Sequence, residues 1–468
     1  MSDNRTDQMT LVAFMQASNV SVYSGSWRYP HSAQDYLDLA YYQRIARVLE
    51  EGRFDLMFFD DRLAMPGIYG NSVDDAVRYG ARPVKLDLTA ILGAAAAATS
   101  HLGLGATYST TYHQPFHVAR TFASLDHLSG GRAAWNVVTS VNDAEARNFG
   151  VDQHFEHDKR YDRAEEFVEV VAKLWDSWED GAVVADRASG IFADPAKVHT
   201  LDHHGEFFDV QGPLTVPRTP QGRPVLIQAG QSGRGRQFAA KWADLIFTGD
   251  PSQSVAAEHY ADQKALIGEH GRDADSVRIL PMVYVIPGET EQIAREKENI
   301  FLHDLVHPQA SLTLLSEVTN YDFSGHSLDD VVTDELIDQV SGIRGLVQGV
   351  KRHIGDQELT LRVLANHRAT LLQGPRFVGT GPQIAEQMEQ WFRSRSCDGF
   401  VIAATHFPGA FEDFVRLVVP ELRSRGLVRE NYTGTTLREN LGLERPENIF
   451  GAGHDAPVAT GEKVAQHA

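Results

Sequence analysis

Eight short apolar segments, each followed by a longer amphipathic segment, constrain the fold of this chain of 468 residues more than any other feature. The apolar segments are Leu11–Ala17, Leu56–Asp60, Leu102–Tyr108, Ala133–Thr139, Pro224–Ala229, Leu245–Thr248, Ile279–Ile286 and Phe400–Ala403. Such alternation is typical of a parallel sheet covered by helices. Eight strand–helix units predict a (β/α)8 TIM barrel, and a doubly wound sheet with the same alternation stays open as an alternative.

Two regions do not fit this repeat and are predicted insertions, at about residues 180–223 and 306–395. The helical segments of the repeat are Tyr36–Glu51, Leu88–Thr99, Val118–Leu128, Lys159–Trp178, Gly235–Lys241, Val255–His270, Ile293–Leu305 and Gly409–Arg425. We expect residues 1–468 to form one elaborated barrel domain with a mobile tail after about residue 445. Because barrels build active sites from the loops after their strands, the insertion at 306–395 is a predicted substrate wall.

The charge balance disfavours several classes of partner. There are 43 Lys and Arg residues against 63 Asp and Glu residues, a formal net charge of −20, which is the wrong sign for binding nucleic acid or anionic lipid. No apolar run approaches the ~18 residues of a membrane span, and the N-terminus has no apolar signal segment. The single cysteine, Cys397, cannot form an internal disulfide. We therefore expect a cytoplasmic protein with no nucleic-acid or membrane partner.

The turn after the fifth apolar segment is a candidate phosphate site. No P-loop is present, and Gly103-Leu-Gly105 lacks the third glycine of a dinucleotide-binding turn. The segment Gly230-Gln-Ser-Gly-Arg-Gly235 does not match the G-x-S-x-G motif of serine hydrolases. It does follow a strand and open a helix, so the Ser232 hydroxyl and the backbone N–H groups around Gly233 predict a phosphate cradle. The alternative is a plain tight turn with a helix N-cap.

Polar side chains at the end of the fourth apolar segment and two groups of histidines are further candidates. The segment Trp135-Asn-Val-Val-Thr-Ser140 ends in hydrogen-bonding groups, either as ligand contacts or as a satisfied strand end. In His113-Gln-Pro-Phe-His117 the proline argues against both imidazoles lying on one helix face. Loop histidines such as those in Asp202-His-His204 are more often solvated or hydrogen-bonded than metal-bound. No metal site is predicted.

Several longer motifs together resemble one family. The most specific is His204-Gly-Glu-Phe-Phe-Asp-Val-Gln-Gly-Pro-Leu-Thr-Val-Pro-Arg-Thr-Pro-Gln-Gly-Arg-Pro-Val-Leu-Ile-Gln-Ala-Gly230. The others are Phe54–Asp61, Tyr108–His113, Trp135–Ser140, Val378–Pro382, Asp398–Phe400 and Tyr432–Gly442. They span about residues 11–443 and resemble the reduced-flavin-dependent monooxygenases related to nitrilotriacetate monooxygenase component A, dibenzothiophene sulfone monooxygenase and long-chain alkane monooxygenase.

The resemblance implies a bacterial-luciferase-like (β/α)8 barrel that binds reduced FMN and uses O2 to oxygenate a small organic molecule. It also implies that a separate NAD(P)H:FMN reductase supplies FMNH2, and we expect a homodimer or homotetramer. The implied flavin contacts are Asp61, Thr107, Asn136, Ser140, His157, Tyr161 and Ser232.

One departure from the family directs attention to His113. Relatives carry histidine in the loop after strand one, before a Trp-Arg-x-Pro element; here that element is Trp27-Arg-Tyr-Pro30, and Ser21 and Tyr23 stand where imidazoles are expected. His113 is therefore the predicted catalytic residue near the reacting edge of the flavin. The alternative is a structural histidine that fixes the loop after strand three.

Three other functions stay open. A deazaflavin-dependent oxidoreductase of the same superfamily would transfer hydride without O2, and a non-catalytic flavin-binding protein would consume no substrate. A metal-dependent barrel hydrolase would lose activity to chelators and ignore flavin. The sequence does not identify the substrate, and we expect the insertion at 306–395 to determine it.

Overall fold

The computed structural model describes residues 8–140, 142–151, 157–340, 358–370 and 374–451, together with residues 347, 350, 351 and 354. Its strands are β1 (Thr10–Met15), β2 (Leu56–Phe59), β3 (Gly103–Ser109), β4 (Ala133–Val138), β5 (Val183–Asp186), β6 (Ile191–Ala193), β7 (His203–His204), β8 (Asp209–Val210), β9 (Val225–Gln228), β10 (Leu245–Thr248), β11 (Arg278–Pro287), β12 (Arg376–Gly379) and β13 (Gly399–Ala403).

Eight of these strands close into a parallel barrel, in the order β1, β2, β3, β4, β9, β10, β11, β13 and back to β1. The predicted (β/α)8 fold is confirmed, and each predicted barrel strand is present. A ninth strand, β12, pairs only with the last residues of β11 and was not predicted. Only two apolar residues, Phe377 and Val378, mark it in the sequence.

Helices cover the outside of the barrel. They are α1 (Leu39–Glu51), α2 (Asp74–Tyr79), α3 (Leu88–Ala98), α4 (Pro115–Ser129), α5 (Asp143–Asn148), α6 (His157–Asp176), α7 (Gly233–Trp242), α8 (Gln253–Glu269), α9 (Glu291–Asn299), α10 (Pro308–Thr319), α11 (Asp334–Gln339), α12 (Leu361–Thr370), α13 (Gly381–Arg393), α14 (Gly409–Leu417), α15 (Val419–Ser424) and α16 (Leu437–Leu441). The predicted helix at 293–305 ends earlier and continues as a π-helical turn, Ile300–Asp304. The predicted helix at 409–425 is divided in two, with Pro420 in the first turn of α15.

The two faces of the barrel strands belong to two different apolar clusters. On β1, Val12 packs inside the barrel, whereas its neighbours Leu11 and Ala13 pack against the helices. On β2, Phe58 faces inward and Met57 outward in the same way. The period of two explains why these strands read as continuous apolar runs, since both faces of a parallel barrel strand are buried.

The amino ends of the strands are closed by α16. Leu437 of this helix packs so close to β3 that a Cβ on Gly103 would lie 2.7 Å from it, which explains the glycine. Arg438 forms a buried, two-pronged ion pair with Asp244, with nitrogen–oxygen distances of 3.1 and 2.7 Å. The end of the barrel away from the ligand-binding loops is therefore sealed, and binding is left to the carboxyl ends of the strands.

Both predicted insertion regions have structure of their own. The first carries two small antiparallel hairpins, β5–β6 and β7–β8, which were not predicted as strands. The second contains α10, α11 and α12 around a separate apolar cluster that includes Leu315 and Phe323. Its residues 341–346, 348, 349, 352, 353, 355–357 and 371–373 lie outside the described residues.

The predicted tail begins at about residue 445, and its first residues are described. Arg445 pairs with Asp180 at 2.7 Å, and Asn448 donates to the Asp176 and Trp178 carbonyls. Residues 452–468 lie outside the described residues. Within the described part of the chain, no helix combines the length and the apolar character that a membrane span requires.

Candidate active site

A cavity of about 270 Å³ opens at the carboxyl ends of the barrel strands, and we call it the mouth cavity. Its lining includes Phe14, Gln16, Phe58, Asp60, Arg82, Asn136, Phe247 and Tyr284. Phe14 and Gln16 are two residues apart, as are Phe58 and Asp60, and this spacing is expected for side chains on the inner face of a strand. TIM barrels bind their ligands at this end, so the mouth cavity is the candidate active site.

Asn136 presents an unsatisfied acceptor in the mouth cavity. Its Nδ2 donates to Thr107 Oγ1 across the β3–β4 pair at 2.9 Å. Its Oδ1 is buried and accepts no hydrogen bond among the described residues. A buried carbonyl oxygen without a partner is costly, so this atom is suited to accept an N–H from a ligand.

Ser140 lies two residues after the end of β4 and contacts the first turn of α6 through Arg160. Its hydroxyl is 2.9 Å from the Ser109 hydroxyl, and its carbonyl accepts from Arg160 Nη1 at 2.8 Å. Tyr161 follows Arg160 on α6 and is buried against Phe238 of α7. His157 begins α6, and its side chain lies outside the described residues.

The turn between β9 and α7 has the form of an anion cradle. Ser232 is the N-cap of α7, and its Oγ accepts from Gly235 N at 3.1 Å. A Cβ on Gly233 would meet no atom within 4 Å, whereas one on Gly235 would lie 2.7 Å from Tyr161 Oη. The turn is therefore open on one side and packed against Tyr161 on the other. Backbone N–H groups at such a helix start favour a bound phosphate.

The charges beside this cradle are already paired. Arg234 forms an ion pair with Asp162, and Arg236 forms one with Asp262 at 3.8 Å and donates to Gln263 at 3.1 Å. The contribution of this turn to anion binding therefore comes from its backbone and the Ser232 hydroxyl more than from the two arginines.

Asp61 lies beside the mouth cavity in a second cavity of about 370 Å³, which we call the side cavity. Burial raises the pKa of Asp61 to about 6, with Lys85 acting in the opposite direction. Its neighbour Asp60 lines the mouth cavity and pairs with Lys85 at 2.5 Å. The structure thus brings Asp60 to the mouth cavity and the predicted Asp61 to the adjoining one.

His113 is held by the loop that follows β3. Its Nδ1 is 2.9 Å from the Ser109 carbonyl oxygen, and its ring tilts against Tyr108 with centroids 4.9 Å apart. Burial lowers its pKa, so the ring is neutral at pH 7. Because a carbonyl only accepts, Nδ1 carries the proton and Nε2 has the lone pair. His113 is not part of the mouth-cavity lining.

The other histidine cluster is engaged with carboxylates. His203 Nε2 lies 3.1 Å from Glu166, and His204 Nδ1 lies 2.8 Å from Asp209. Among the described residues, no group of three or more His, Cys, Asp or Glu side chains could hold a metal ion. That the protein needs no metal stays a prediction.

Sequence reasoning missed several residues of this region. Gln16 and Arg82 line the mouth cavity, and Gln16 accepts from Lys85 at 3.0 Å. The period of two along β1, which places Gln16 after Phe14, was the available signal for one of them. His406 follows β13, and burial lowers its pKa to about 4; its ring stacks on Phe301. Nothing in the local sequence distinguishes His406 from other loop histidines.

The loop after β1, which contains Ser21 and Tyr23, packs with this same region. Ser21 Oγ donates to the Thr405 carbonyl at 2.6 Å, beside His406. Tyr23 is fully buried, with its ring edge-on to Tyr284 of the mouth cavity. Ser21 and Tyr23 therefore serve loop closure and packing, respectively.

Known proteins share this architecture. The model of the luciferase-like monooxygenase family matches residues 18–398. Dibenzothiophene-sulfone monooxygenase of Rhodococcus erythropolis is 46% identical over 443 residues, which is 94% of this chain and 98% of the relative. Nitrilotriacetate monooxygenase component A of Aminobacter aminovorans is 42% identical over 451 residues, 94% of this chain and 98% of the relative. A riboflavin lyase crystal structure, with modified FMN and riboflavin, superposes with a TM-score of 0.83 at 32% identity, covering 94% of this chain and 97% of that one.

The fold, the mouth cavity and the similarity to these relatives together identify the protein as a TIM-barrel enzyme of the flavin-dependent monooxygenase class. Within that class, the chain belongs to the luciferase-like monooxygenase family. The predicted family, enzyme class and FMN cofactor are confirmed.

The described residues fit FMN at both of its ends. The open turn at Gly233, beside Ser232 and Tyr161, has the shape and the backbone donors for a phosphate. The buried, unpaired Oδ1 of Asn136 suits an N–H of the flavin ring. The aromatic lining of the mouth cavity provides apolar surface for the ring faces.

Proposed function

We propose that this chain is the oxygenase component of a two-component system that oxygenates a small organic molecule with O2 and with reduced FMN from a separate NAD(P)H:FMN reductase. The observation that carries the proposal is the unpaired, buried acceptor of Asn136 in a cavity lined by aromatic residues. The sequence has no dinucleotide-binding turn, which supports an external source of reduced flavin. One relative is itself named component A, which indicates that it works with a second component.

We assign the phosphate end of FMN to the turn at Ser232 and Gly233, and we propose Ser140, His157 and Tyr161 as further contacts of FMN. We assign the ring to the mouth cavity, where Asn136 accepts from a ring N–H and Thr107 holds the Asn136 amide in position through its 2.9 Å hydrogen bond. Asp61 contacts the flavin from the side-cavity wall. Two observations support assigning the phosphate to this turn: the turn is open at Gly233, and the charge of Arg234 is already paired with Asp162, so the backbone N–H groups are the available donors.

Bound reduced flavin supplies the electrons for the activation of O2. The chain's own residues position the flavin ring and shield it from water. Phe14, Phe58 and Phe247 exclude water from the ring, because their rings form the apolar part of the lining. His113 accepts a proton at Nε2, since its Nδ1–H is committed to the Ser109 carbonyl and burial keeps the ring neutral at pH 7.

The insertion at about 306–395 is the proposed substrate wall. Glu317 of α10 is buried and reaches three groups at the barrel mouth: Arg62 at 3.5 Å, the Gly67 N–H at 3.4 Å, and Asn142. These contacts support a wall that stands beside the cavities.

We further propose a cytoplasmic homodimer or homotetramer. Its support is the hairpin β5–β6, whose Val184, Ile191 and Phe192 are more than half exposed, at 51%, 54% and 65%. Apolar side chains exposed together are typical of contact surfaces. The buried single cysteine, Cys397, is consistent with a reducing compartment.

A coupled assay tests the proposed function. The purified chain, FMN, NADH, a generic FMN reductase and O2 are combined with dibenzothiophene sulfone or nitrilotriacetate, and oxygenated product is measured. We expect product only when all components are present. Turnover of NADH without the reductase would contradict the two-component assignment, and hydride transfer under anaerobic conditions would favour a deazaflavin enzyme. Activity that ignores flavin and disappears with a chelator would favour the hydrolase.

A further inference from the structure

The two charged residues on the wall of the mouth cavity differ in their partners. Among the described residues, Asp60 and Arg82 are the charged residues of its lining. Asp60 is paired with Lys85 at 2.5 Å, so its negative charge is compensated from the side cavity. Arg82 has no carboxylate within ion-pair distance among the described residues, since its guanidinium only donates from Nη2 to the Val22 carbonyl at 3.0 Å. Among the described residues, Arg82 is therefore the charged group of this lining that lacks an ion-pair partner.

The guanidinium of Arg82 is both buried and incompletely hydrogen-bonded. Its Nε is buried and has no partner among the described residues. The charged groups that act on it are Arg62, Lys85, Asp60 and, if ionised, Tyr284. Burial lowers its pKa, yet a guanidinium keeps its proton in proteins. An unpaired buried N–H on a charged group favours an anionic acceptor in the cavity.

The backbone aims Arg82 in an unusual way. Its φ is +57°, in the left-handed region that non-glycine residues seldom occupy, and its N–H donates to the Gly80 carbonyl at 2.9 Å in a tight turn. This turn places Arg82 between the two cavities, because the residue lines both of them. Residues held in such conformations cluster at functional sites.

We propose that Arg82 selects reduced over oxidised FMN by placing its charge beside the flavin ring. This inference rests on the proposed function, which puts the ring in the mouth cavity. Oxidised flavin has a neutral ring, whereas reduced flavin loses a proton from N1 near neutral pH and carries negative charge over N1 and the C2 carbonyl. Arg82 stabilises that charge, whereas the oxidised ring offers the guanidinium only an uncharged acceptor. The chain therefore favours the form that the reductase delivers and releases the oxidised form after turnover.

The test compares the dissociation constants of the two redox forms at pH 7.5. Full-length wild-type protein is titrated with FMN in air and, anaerobically, with photoreduced FMN; the midpoint potential of the bound flavin is measured by dye equilibration. We expect the wild type to bind reduced FMN at least tenfold more tightly. Arg82→Gln lowers this ratio at least tenfold, and the midpoint potential falls by about 30 mV per tenfold, the two-electron equivalent. Arg82→Lys keeps most of the preference, because the charge stays.

Arg78→Gln is the matched control. It removes the same charge from an exposed residue of α2 outside both cavities, and it leaves the ratio unchanged. Equal weakening of both redox forms in Arg82→Gln overturns the proposal, since Arg82 then holds FMN without selecting. If Arg82→Gln does not fold, equal affinities in the wild type, or loss of the preference in folded Arg82→Lys, overturn it. A wild type that binds neither form contradicts the proposed function itself, so the two failures are distinguishable.

Discussion

Replacing Asn136 separates the needs of folding from those of cofactor binding. In Asn136→Leu the protein loses the 2.9 Å hydrogen bond to Thr107, which contributes about 1 kcal/mol to stability. It also loses the unpaired Oδ1, whose burial costs about 1 to 3 kcal/mol. The two terms offset each other. We expect the free energy of unfolding without FMN to rise by about 0 to 2 kcal/mol, the difference between the two terms.

FMN binding responds differently to the same substitution. The ring N–H loses its acceptor, which weakens binding by about 1 to 3 kcal/mol, or roughly five- to 150-fold in Kd. Urea denaturation of the FMN-free protein measures the first quantity, and quenching of flavin fluorescence measures the second.

Asn440→Leu is the matched control for this experiment. Asn440 is buried at the opposite end of the barrel, where its Oδ1 accepts from Gly434 N at 2.9 Å and Arg429 Nη1 at 3.3 Å. Its replacement removes two hydrogen bonds and leaves both donors unpaired, and it also removes a buried Nδ2 that has no partner among the described residues. We therefore expect a net loss of about 1 to 2 kcal/mol in stability and an unchanged Kd for FMN. The reasoning is refuted if Asn136→Leu destabilises the protein as much as Asn440→Leu does, or if it binds FMN as the wild type does.

Three further substitutions test the remaining features of the site. Ser232→Asp keeps a helix-capping oxygen but places a negative charge at the cradle, so calorimetric titration should show at least a tenfold weaker FMN affinity, while the Tm stays almost unchanged. Ser232→Ala removes the capping oxygen and should lower the free energy of unfolding by about 0.5 to 2 kcal/mol. Asp61→Asn should stabilise the protein relative to the wild type, and increasingly so as the pH rises from 4 to 7. The folded pKa of Asp61, about 6, exceeds the unfolded value of 3.8, so ionisation costs the wild type up to about 3 kcal/mol of stability over this range. The assignment is contradicted if urea denaturation gives the same difference in free energy of unfolding between the two proteins at pH 4 and at pH 8. Gly235→Ala introduces a Cβ 2.7 Å from Tyr161 Oη and should cost about 1 to 3 kcal/mol of stability. The double variant Gly235→Ala/Tyr161→Phe removes that hydroxyl and should regain part of the loss, as measured by thermal denaturation.

The barrel was predictable because its signal is local. Each strand is buried on both faces, so it reads as an apolar run, and each helix carries an apolar stripe at helical spacing. The elements that escaped prediction lack this signal: β12 has two apolar residues, and β5 and β6 are exposed along most of their length. The family motifs added the cofactor and the enzyme class, which periodicity alone does not specify.

The sequence by itself determined the strand–helix repeat, the family resemblance and the polar strand ends at Asn136 and Ser140, because these depend on residue order within single segments. Closure of the eight strands into a barrel, as opposed to an open doubly wound sheet, was decided by the tertiary structure. Only the tertiary structure decided which groups remain unpaired. Lys85 neutralises Asp60 across two loops, and Arg82 is left with an unpaired Nε in the cavity wall. Such a balance of charge depends on which loops the closed barrel brings together, and partners far apart in the chain carry no mark of it in their own neighbourhoods.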